Sequence, residues 1–207
     1  MDKKVYMEKV PIEMEIIGLY LSNYKTKIHI REIARRINKN HRTVLLAVKR
    51  LEFAGIVNHE VVGKSKQYFL NLSNVIAKDY IRNAESIKTR RLLEKHFIFK
   101  KLLTEFSQSL MSTPVLLFGS YAKGEETKKS DIDMFIVKGK REKEIVDRAS
   151  EFFSRHNLKL QVQKSTQEEF EMAITERDNL AVEILKNHII LNNVELFVDI
   201  FWRYYGK

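Results

Sequence analysis

Two aspartates separated by one residue are the clearest candidates for chemistry in this sequence. Asp131 and Asp133 flank Ile132 at the start of the apolar stretch DIDMFIV, ten residues after the pair Gly119-Ser120. Alternate residues of a strand face the same side, so we expect the two carboxylates to be neighbours. Like charges about 5 to 7 Å apart repel by about 1 to 3 kcal/mol, and a divalent cation turns that repulsion into attraction. The pair therefore predicts a site for Mg²⁺ or Mn²⁺.

The Gly-Ser corner before these aspartates is suited to phosphate groups. Gly119 leaves room for a phosphate to approach the backbone, and Ser120 opens a predicted helix whose free N–H groups and hydroxyl can hold phosphate oxygens. Lys123, Lys128 and Lys129 add positive charge in the loop, although solvated surface lysines are the usual alternative. A metal ion at such a corner orients the α-phosphoryl group of a nucleotide and neutralises charge as pyrophosphate leaves. We expect nucleotide binding at Gly119, Ser120 and Lys123.

The run FGSYAKGEETKKSDIDMFIV resembles the signature of the DNA polymerase β-type nucleotidyltransferase superfamily, specifically its minimal nucleotidyltransferase branch. The resemblance spans residues 112–165 and implies a small α/β palm. It also implies NMP transfer from an NTP with two metal ions, with Asp131 and Asp133 as metal ligands and Gly119 and Ser120 at the nucleotide. Minimal nucleotidyltransferases often occur in toxin-antitoxin pairs, which adds a toxin or other protein to the candidate partners.

One position departs from the pattern of that family. Its members usually carry a third carboxylate on the strand after the next helix, where this chain has Leu160-Gln161-Val162-Gln163. Gln161 falls nearest the expected position, and a glutamine offers only a neutral oxygen and cannot act as a general base. Asp199 is another candidate for the missing group, and a surface or ion-paired role is its alternative. The departure leaves open whether transfer is active.

The first third of the chain has the pattern of a winged helix-turn-helix. A predicted helix over 12–21 is followed by two short amphipathic helices, with Ile30, Ile33, Ala34 and Ile37 on one face and Val44, Ala47, Val48 and Leu51 on the next. Asn40 is the predicted N-cap of the third helix, and Gly55 permits the turn that ends it. A β-hairpin follows, with its turn at 63–65. The alternative is a winged helix that mediates dimerisation or protein docking.

The charge of the chain supports a polyanionic partner for this region. Residues 1–110 hold 22 Lys and Arg against 11 Asp and Glu, and residues 111–207 hold 15 against 16. A basic module beside a neutral one favours nucleic acid over a membrane surface, with a solvated basic surface as the alternative. We expect the third helix and the hairpin tip to contact duplex DNA through Asn40, His41, Arg42, Thr43, Lys49, Lys64 and Lys66.

These observations predict an α+β protein in three parts. Residues 1–72 form the winged helix-turn-helix domain, 73–110 a helical connector, and 111–207 the nucleotidyltransferase-type palm. The chain has no Cys, which excludes disulfides and thiolate zinc sites, and no apolar run approaches the length of a membrane span. We therefore expect a cytoplasmic protein without a membrane partner. The connector and the aromatic C-terminal segment suggest a homodimer, although core packing is the usual role of such aromatics.

Two functions from different classes follow. The first is a DNA-associated nucleotidyltransferase that moves an NMP from an NTP to a hydroxyl acceptor, for which the aspartate pair argues. The second is a winged-helix transcriptional regulator whose nucleotidyltransferase domain is catalytically degenerate and senses a nucleotide as effector or serves as an antitoxin, for which Gln161 argues. Neither the acceptor, the base preference nor the DNA sequence can be derived, because each depends on the shape of a surface.

Overall fold

The computed structural model describes residues 10–110 and 113–206, and of residues 107–110 it describes the backbone alone. Within residues 10–70 the elements are α1 (Ile12–Gly18), β1 (Ile28–His29), α2 (Ile30–Arg36), α3 (His41–Phe53), β2 (Val57–Val62) and β3 (Ser65–Leu70). The three strands form an antiparallel sheet with the order β1-β3-β2.

The apolar faces predicted for α2 and α3 are buried. Ile33 is fully buried and Ile30 and Ile37 pack against the core, while α3 buries the four residues predicted for its face, Val44, Ala47, Val48 and Leu51. α1 ends at Gly18, earlier than the predicted Leu21, and the residues after it form turns.

The caps and the hairpin of this region also follow the sequence. The Asn40 side chain accepts a hydrogen bond from the Thr43 amide at 2.8 Å, as an N-cap does. Gly55 has a φ of +69°, as expected where α3 stops. β2 and β3 pair from Val57↔Leu70 to Val62↔Ser65, with Gly63 in the turn.

The predicted helical connector is two helices that meet at His96, α4 (Val75–Lys95) and α5 (Phe97–Leu110). α4 packs against α1 and also against two later elements, the strand Ile189–Asn192 and the helix Val194–Tyr205. The apolar residues Leu92, Phe99, Leu102 and Phe106 of these helices are buried in one cluster.

Residues 114–206 build a mixed sheet with helices on it. The strand order is β6-β5-β4-β7, in which β5 and β6 are parallel and the other neighbours antiparallel. The elements are β4 (Val115–Phe118), α6 (Gly119–Lys123), β5 (Ile132–Val137), α7 (Glu142–Arg155), β6 (Leu160–Ser165), α8 (Gln167–Thr175), α9 (Asn179–Lys186), β7 (Ile189–Asn192) and α10 (Val194–Tyr205).

Three aromatic residues of the C-terminal segment are buried in the core, which is the usual role of such residues. Phe197, Phe201 and Tyr205 of α10 are buried in the same apolar cluster as Ile16 of α1 and Ala84 of α4. The Tyr205 ring lies 4.9 Å from that of Tyr24, between centroids. α10 therefore joins the first helices to the sheet. No helix within residues 10–110 and 113–206 combines the length and apolar character needed to cross a membrane.

Candidate metal and nucleotide site

The two aspartates lie where β5 begins, at one corner of the sheet. Ile132 and Met134 are buried on one side of the strand, so the intervening Asp133 points to the other, half-exposed side. Asp131 directly precedes β5 and is half-exposed as well. Because β4 and β5 are antiparallel with Phe118 opposite Asp133, the residue after β4, Gly119, comes to lie beside the carboxylate of Asp133.

Gly119 is required by this close approach. A Cβ at this position would lie 2.1 Å from Oδ2 of Asp133, and the residue has a φ of +66°. We attributed the glycine to the approach of a phosphate, but in the structure the space above its Cα is filled by a carboxylate of the chain itself. The predicted short helix is confirmed as α6, which contains Ser120 and Lys123.

The electrostatics of the corner are those of crowded carboxylates. Burial raises the pKa of Asp133, and the charges of Asp131 and Glu183 raise it further, while Lys123 acts in the opposite direction. The Lys123 ammonium lies 2.6 Å from Oε1 of Glu183, and this contact raises the pKa of Lys123. Negative charge is thus concentrated where β5 begins. Lys123 of α6 offsets part of it, but its ammonium is already ion-paired with Glu183.

Gln161 occupies the position expected for a third carboxylate. β6 runs parallel to β5 with Gln161 opposite Asp133, and its Nε2 donates a hydrogen bond to Oδ2 of Asp131 at 2.8 Å. A carboxylate here would repel Asp131, whereas the amide satisfies one of its oxygens. The chain therefore has a neutral side chain where a third charge was expected.

The other candidate for a third carboxylate lies elsewhere. Asp199 of α10 is ion-paired with Lys78 at 2.6 Å and with Arg82 at 3.2 Å, both on α4. Its role is to hold α10 to α4. Sequence reasoning missed Glu183, and no local pattern could have found it, because only the placement of α9 at this end of the sheet makes it a neighbour of Asp133.

The donor set fits a divalent cation that takes its remaining ligands from a substrate. Within residues 10–110 and 113–206, no cluster of three or more His, Asp or Glu side chains is arranged to hold a metal. Mg²⁺ in phosphate-handling sites is held by one or two protein carboxylates, substrate phosphates and water. Asp131 and Asp133 meet that requirement. The lack of a side chain at Gly119 allows the Asp133 carboxylate to lie close to the backbone.

The loop between α6 and β5 is fixed at one point. Glu126 lies 3.1 Å from Nε2 of His96 and also contacts Lys95, so the loop is tied to the junction of α4 and α5. Lys128 and Lys129 of this loop are exposed. The interpretation of these two lysines as solvated side chains agrees with their positions.

A second charged surface lies at the other end of the chain. We call basic groove the cleft of about 800 Å³ between α2, α3 and the hairpin, which is lined by His29, Arg31, Arg35, His41, Lys64 and Lys66 among others. The side chains of Arg42 and Lys49 on α3 are also exposed. The structure thus brings His41, Lys64 and Lys66 together, with Arg42 and Lys49 on the same exposed helix.

Several polar residues of this surface have partners within the protein. Asn40 and Thr43 form the cap of α3, with the Thr43 hydroxyl 2.9 Å from Oδ1 of Asn40. Arg35 and Arg36 both bind Glu32 on their own helix. Arg50, near the end of α3, pairs with Glu13 of α1 at 2.5 Å. The cations left for an external ligand are therefore fewer than the sequence suggests.

Parts of this chain are similar to one family model and to a solved structure. Residues 99–192 match the family model described as the nucleotidyltransferase domain, so the C-terminal part of this mixed α and β chain is a nucleotidyltransferase domain, as predicted. A solved structure described as "Crystal structure of the toxin-antitoxin with AMP-PNP" is similar at 16% identity and a TM-score of 0.31, over 53% of this chain and 82% of that one. No curated protein matches.

Proposed function

We propose that the protein is a DNA-associated nucleotidyltransferase that moves an NMP from an NTP to a hydroxyl acceptor with Mg²⁺ or Mn²⁺. The observation that carries the proposal is the corner formed by Asp131, Asp133 and Gly119. Two half-buried carboxylates side by side raise the pKa of Asp133 and cost folding free energy, and binding of a cation offsets that cost.

The residues of the corner have separate tasks. Asp131 and Asp133 would hold the metal, which would supply positive charge against the triphosphate and the departing pyrophosphate. The Ser120 hydroxyl donates a hydrogen bond to a phosphate oxygen. The Lys123 ammonium leaves Glu183 and binds the triphosphate. Glu183 then keeps its negative charge near Asp133.

The first region supplies the association with DNA. The order α1-β1-α2-α3-β2-β3, with a three-stranded sheet whose hairpin ends in Lys64 and Lys66, supports a winged helix-turn-helix. In this arrangement His41 and Arg42 at the start of α3 reach base edges, while Lys49 and the two hairpin lysines bind phosphates. We assign residues 1–72 to this domain, 73–110 to the connector and 111–207 to the transferase.

A specific observation favours a second function. Gln161 donates its amide hydrogen to Asp131, and Gln161 cannot take a proton from an acceptor hydroxyl. A regulator in which the domain binds a nucleotide as effector, or acts as an antitoxin toward a protein partner, needs the aspartate corner without a general base. Binding of NTP and metal without transfer is the behaviour that distinguishes this regulator.

Transfer of label from α-phosphate-labelled NTPs tests the enzyme directly. The full chain is incubated with Mg²⁺ or Mn²⁺, each NTP, and protein, RNA and DNA acceptors, beside Asp131→Asn/Asp133→Asn. We expect labelled acceptor with the wild type and none with the double variant. If neither protein labels any acceptor while the wild type binds NTP, the regulator is the correct function. In that case Gln161→Asp supplies the third carboxylate. Transfer of label by this variant would show that the wild type lacked only a general base.

A further inference from the structure

A cavity of about 390 Å³ lies between the first helices and α4, apart from both the aspartate corner and the basic groove. α1 and the turn after it contribute Met14, Glu15, Gly18 and Leu19, α2 contributes Arg36, and α4 contributes Lys88 and Arg91. The volume is within the range of about 300 to 1,000 Å³ that small-molecule sites occupy. Its lining combines apolar side chains with three cations.

Lys88 is the most buried of the cations that line this cavity. Burial lowers the pKa of its ammonium, and the charge of Glu85 acts in the opposite direction. Glu85 is itself occupied, because its Oε1 lies 2.9 Å from Nε2 of His188 in a fully buried pair. Lys88 lines the cavity, and no carboxylate of the described residues forms an ion pair with it.

Arg91 and Arg36 add to this positive charge from two sides. Arg91 lies one turn after Lys88 on α4, is exposed, and has no carboxylate partner among the described residues. Arg36 reaches the cavity from the end of α2 while its Nε is 2.5 Å from Glu32. A half-buried ammonium and an unpaired guanidinium on one helix face make an arrangement that an anion stabilises.

The opposite wall carries an acceptor and apolar surface. Oε2 of Glu15 is buried and has no hydrogen-bond partner within the described part of the chain, its nearest cation being Lys39 at 3.7 Å. Met14 and Leu19 stand beside it, and a Cβ added at Gly18 would meet nothing within 4 Å. A ligand that suits all of these groups has an anionic end, a hydroxyl or amino donor, and a body that tolerates apolar contact.

We propose that this cavity is a binding site for a small organic phosphate, with the phosphate at Lys88 and Arg91 and a hydroxyl or amino donor at Glu15. The site is independent of the proposed transferase, because none of its residues lies at the aspartate corner. A bound ligand bridges α1 and α4. The helix α4 in turn packs against β7 and α10 of the C-terminal part.

Isothermal titration of the full chain in metal-free buffer tests this site. The probes are AMP, ribose 5-phosphate and inorganic phosphate, and chelation of metal suppresses metal-dependent binding at the aspartate corner. Gly18→Leu fills the cavity from a position with open space, and Lys88→Gln removes the ammonium. Gly139→Leu, at a glycine whose added Cβ also meets nothing within 4 Å, and Lys140→Gln, at an exposed lysine, are the matched controls.

We expect one of the two organic phosphates to bind with 1:1 stoichiometry to the wild type and to both controls. Gly18→Leu should abolish that binding and Lys88→Gln should weaken it about tenfold or more, the usual consequence of removing a charged phosphate ligand. The proposal fails if neither organic phosphate binds at millimolar concentration, or if binding is the same in Lys88→Gln and Lys140→Gln. Lys88→Gln keeps the test valid should Gly18→Leu prove misfolded by circular dichroism.

Discussion

The basic groove and the aspartate corner hold their charges in opposite ways. Lys64 and Lys66 of the groove and Arg42 of the adjoining helix α3 are exposed, so each remains solvated in the free protein. Asp131 and Asp133 are side by side and half-buried, and burial together with the charge of Asp131 raises the pKa of Asp133. Solvated surface charges cost little until they meet a polyanion, whereas crowded carboxylates cost folding free energy before any ligand arrives. The groove should therefore respond to salt, and the corner to metal and to pH.

The largest expected effect is on DNA binding. Changing Arg42, Lys49, Lys64 and Lys66 to alanine should weaken binding of duplex DNA about a hundredfold at low salt, because contacts to DNA are lost. Each lost phosphate contact should also reduce the steepness of log K against log salt by about 0.9. Fluorescence anisotropy over a salt series measures both quantities. The matched control changes four exposed lysines of the second region, Lys140, Lys143, Lys159 and Lys186.

The control variant separates a specific groove from general positive charge. It should keep the affinity of the wild type apart from a small effect of net charge. If the two quadruple variants lose the same affinity, DNA binding depends on net positive charge and not on the basic groove. If the wild type does not bind duplex DNA at low salt, the first region has another partner.

The second effect is on stability at the aspartate corner. Gly119→Ala should lower the free energy of unfolding by about 2 to 3 kcal/mol, because the new Cβ meets the Asp133 carboxylate and the residue keeps a left-handed φ. Gly124→Ala is the matched control, since Gly124 has a φ of +73° but open space around its Cα. It should lose only about 1 kcal/mol. Urea unfolding in chelator gives both values, and equal losses would show that Asp133 does not need the space.

The smallest effect concerns the pH dependence of stability. The pKa of Asp133 is raised in the folded protein, so its ionisation costs stability as pH rises from the unfolded pKa through the folded one. Metal-free Asp133→Asn should thus be more stable than the wild type at neutral pH, by up to about 1 kcal/mol because partial exposure screens the repulsion.

The same difference should vanish below about pH 3, where the aspartate is protonated in both states. Urea unfolding at a series of pH values measures it. Asp147→Asn, on the exposed face of α7, is the control for loss of a surface carboxylate. An Asp133→Asn protein that is less stable than the wild type at neutral pH would show that its carboxylate is stabilised by contacts that outweigh the repulsion.

Local pattern was sufficient to predict the elements that carry both sites. The 3.6-residue period of α2 and α3, the Asn40 cap, and the alternation around Asp133 are each encoded within a few residues, and the structure confirms them. The nucleotidyltransferase domain was likewise predictable, because its signature lies within one strand, one short helix and the following strand.

Contacts between distant segments could not be predicted in this way. β7 is a four-residue apolar run, too short to be distinguished from helix by its period, and its pairing with β4 brings α9 to the site. Glu183 therefore becomes a neighbour of Asp133, while Asp199 is taken up by ion pairs with α4. Packing of whole elements decides such partners, and no residue spacing records them.

The central claim is that Asp131 and Asp133 form a metal and nucleotide site, and thermal unfolding tests it most directly. Mg²⁺ with NTP, at a hundredfold excess over Kd, should raise the stability of the wild type by about 2.7 kcal/mol. Asp131→Asn/Asp133→Asn should be at least as stable as the wild type without ligand, and should show no stabilisation with it. An identical response of the two proteins to Mg²⁺ and NTP would contradict the claim.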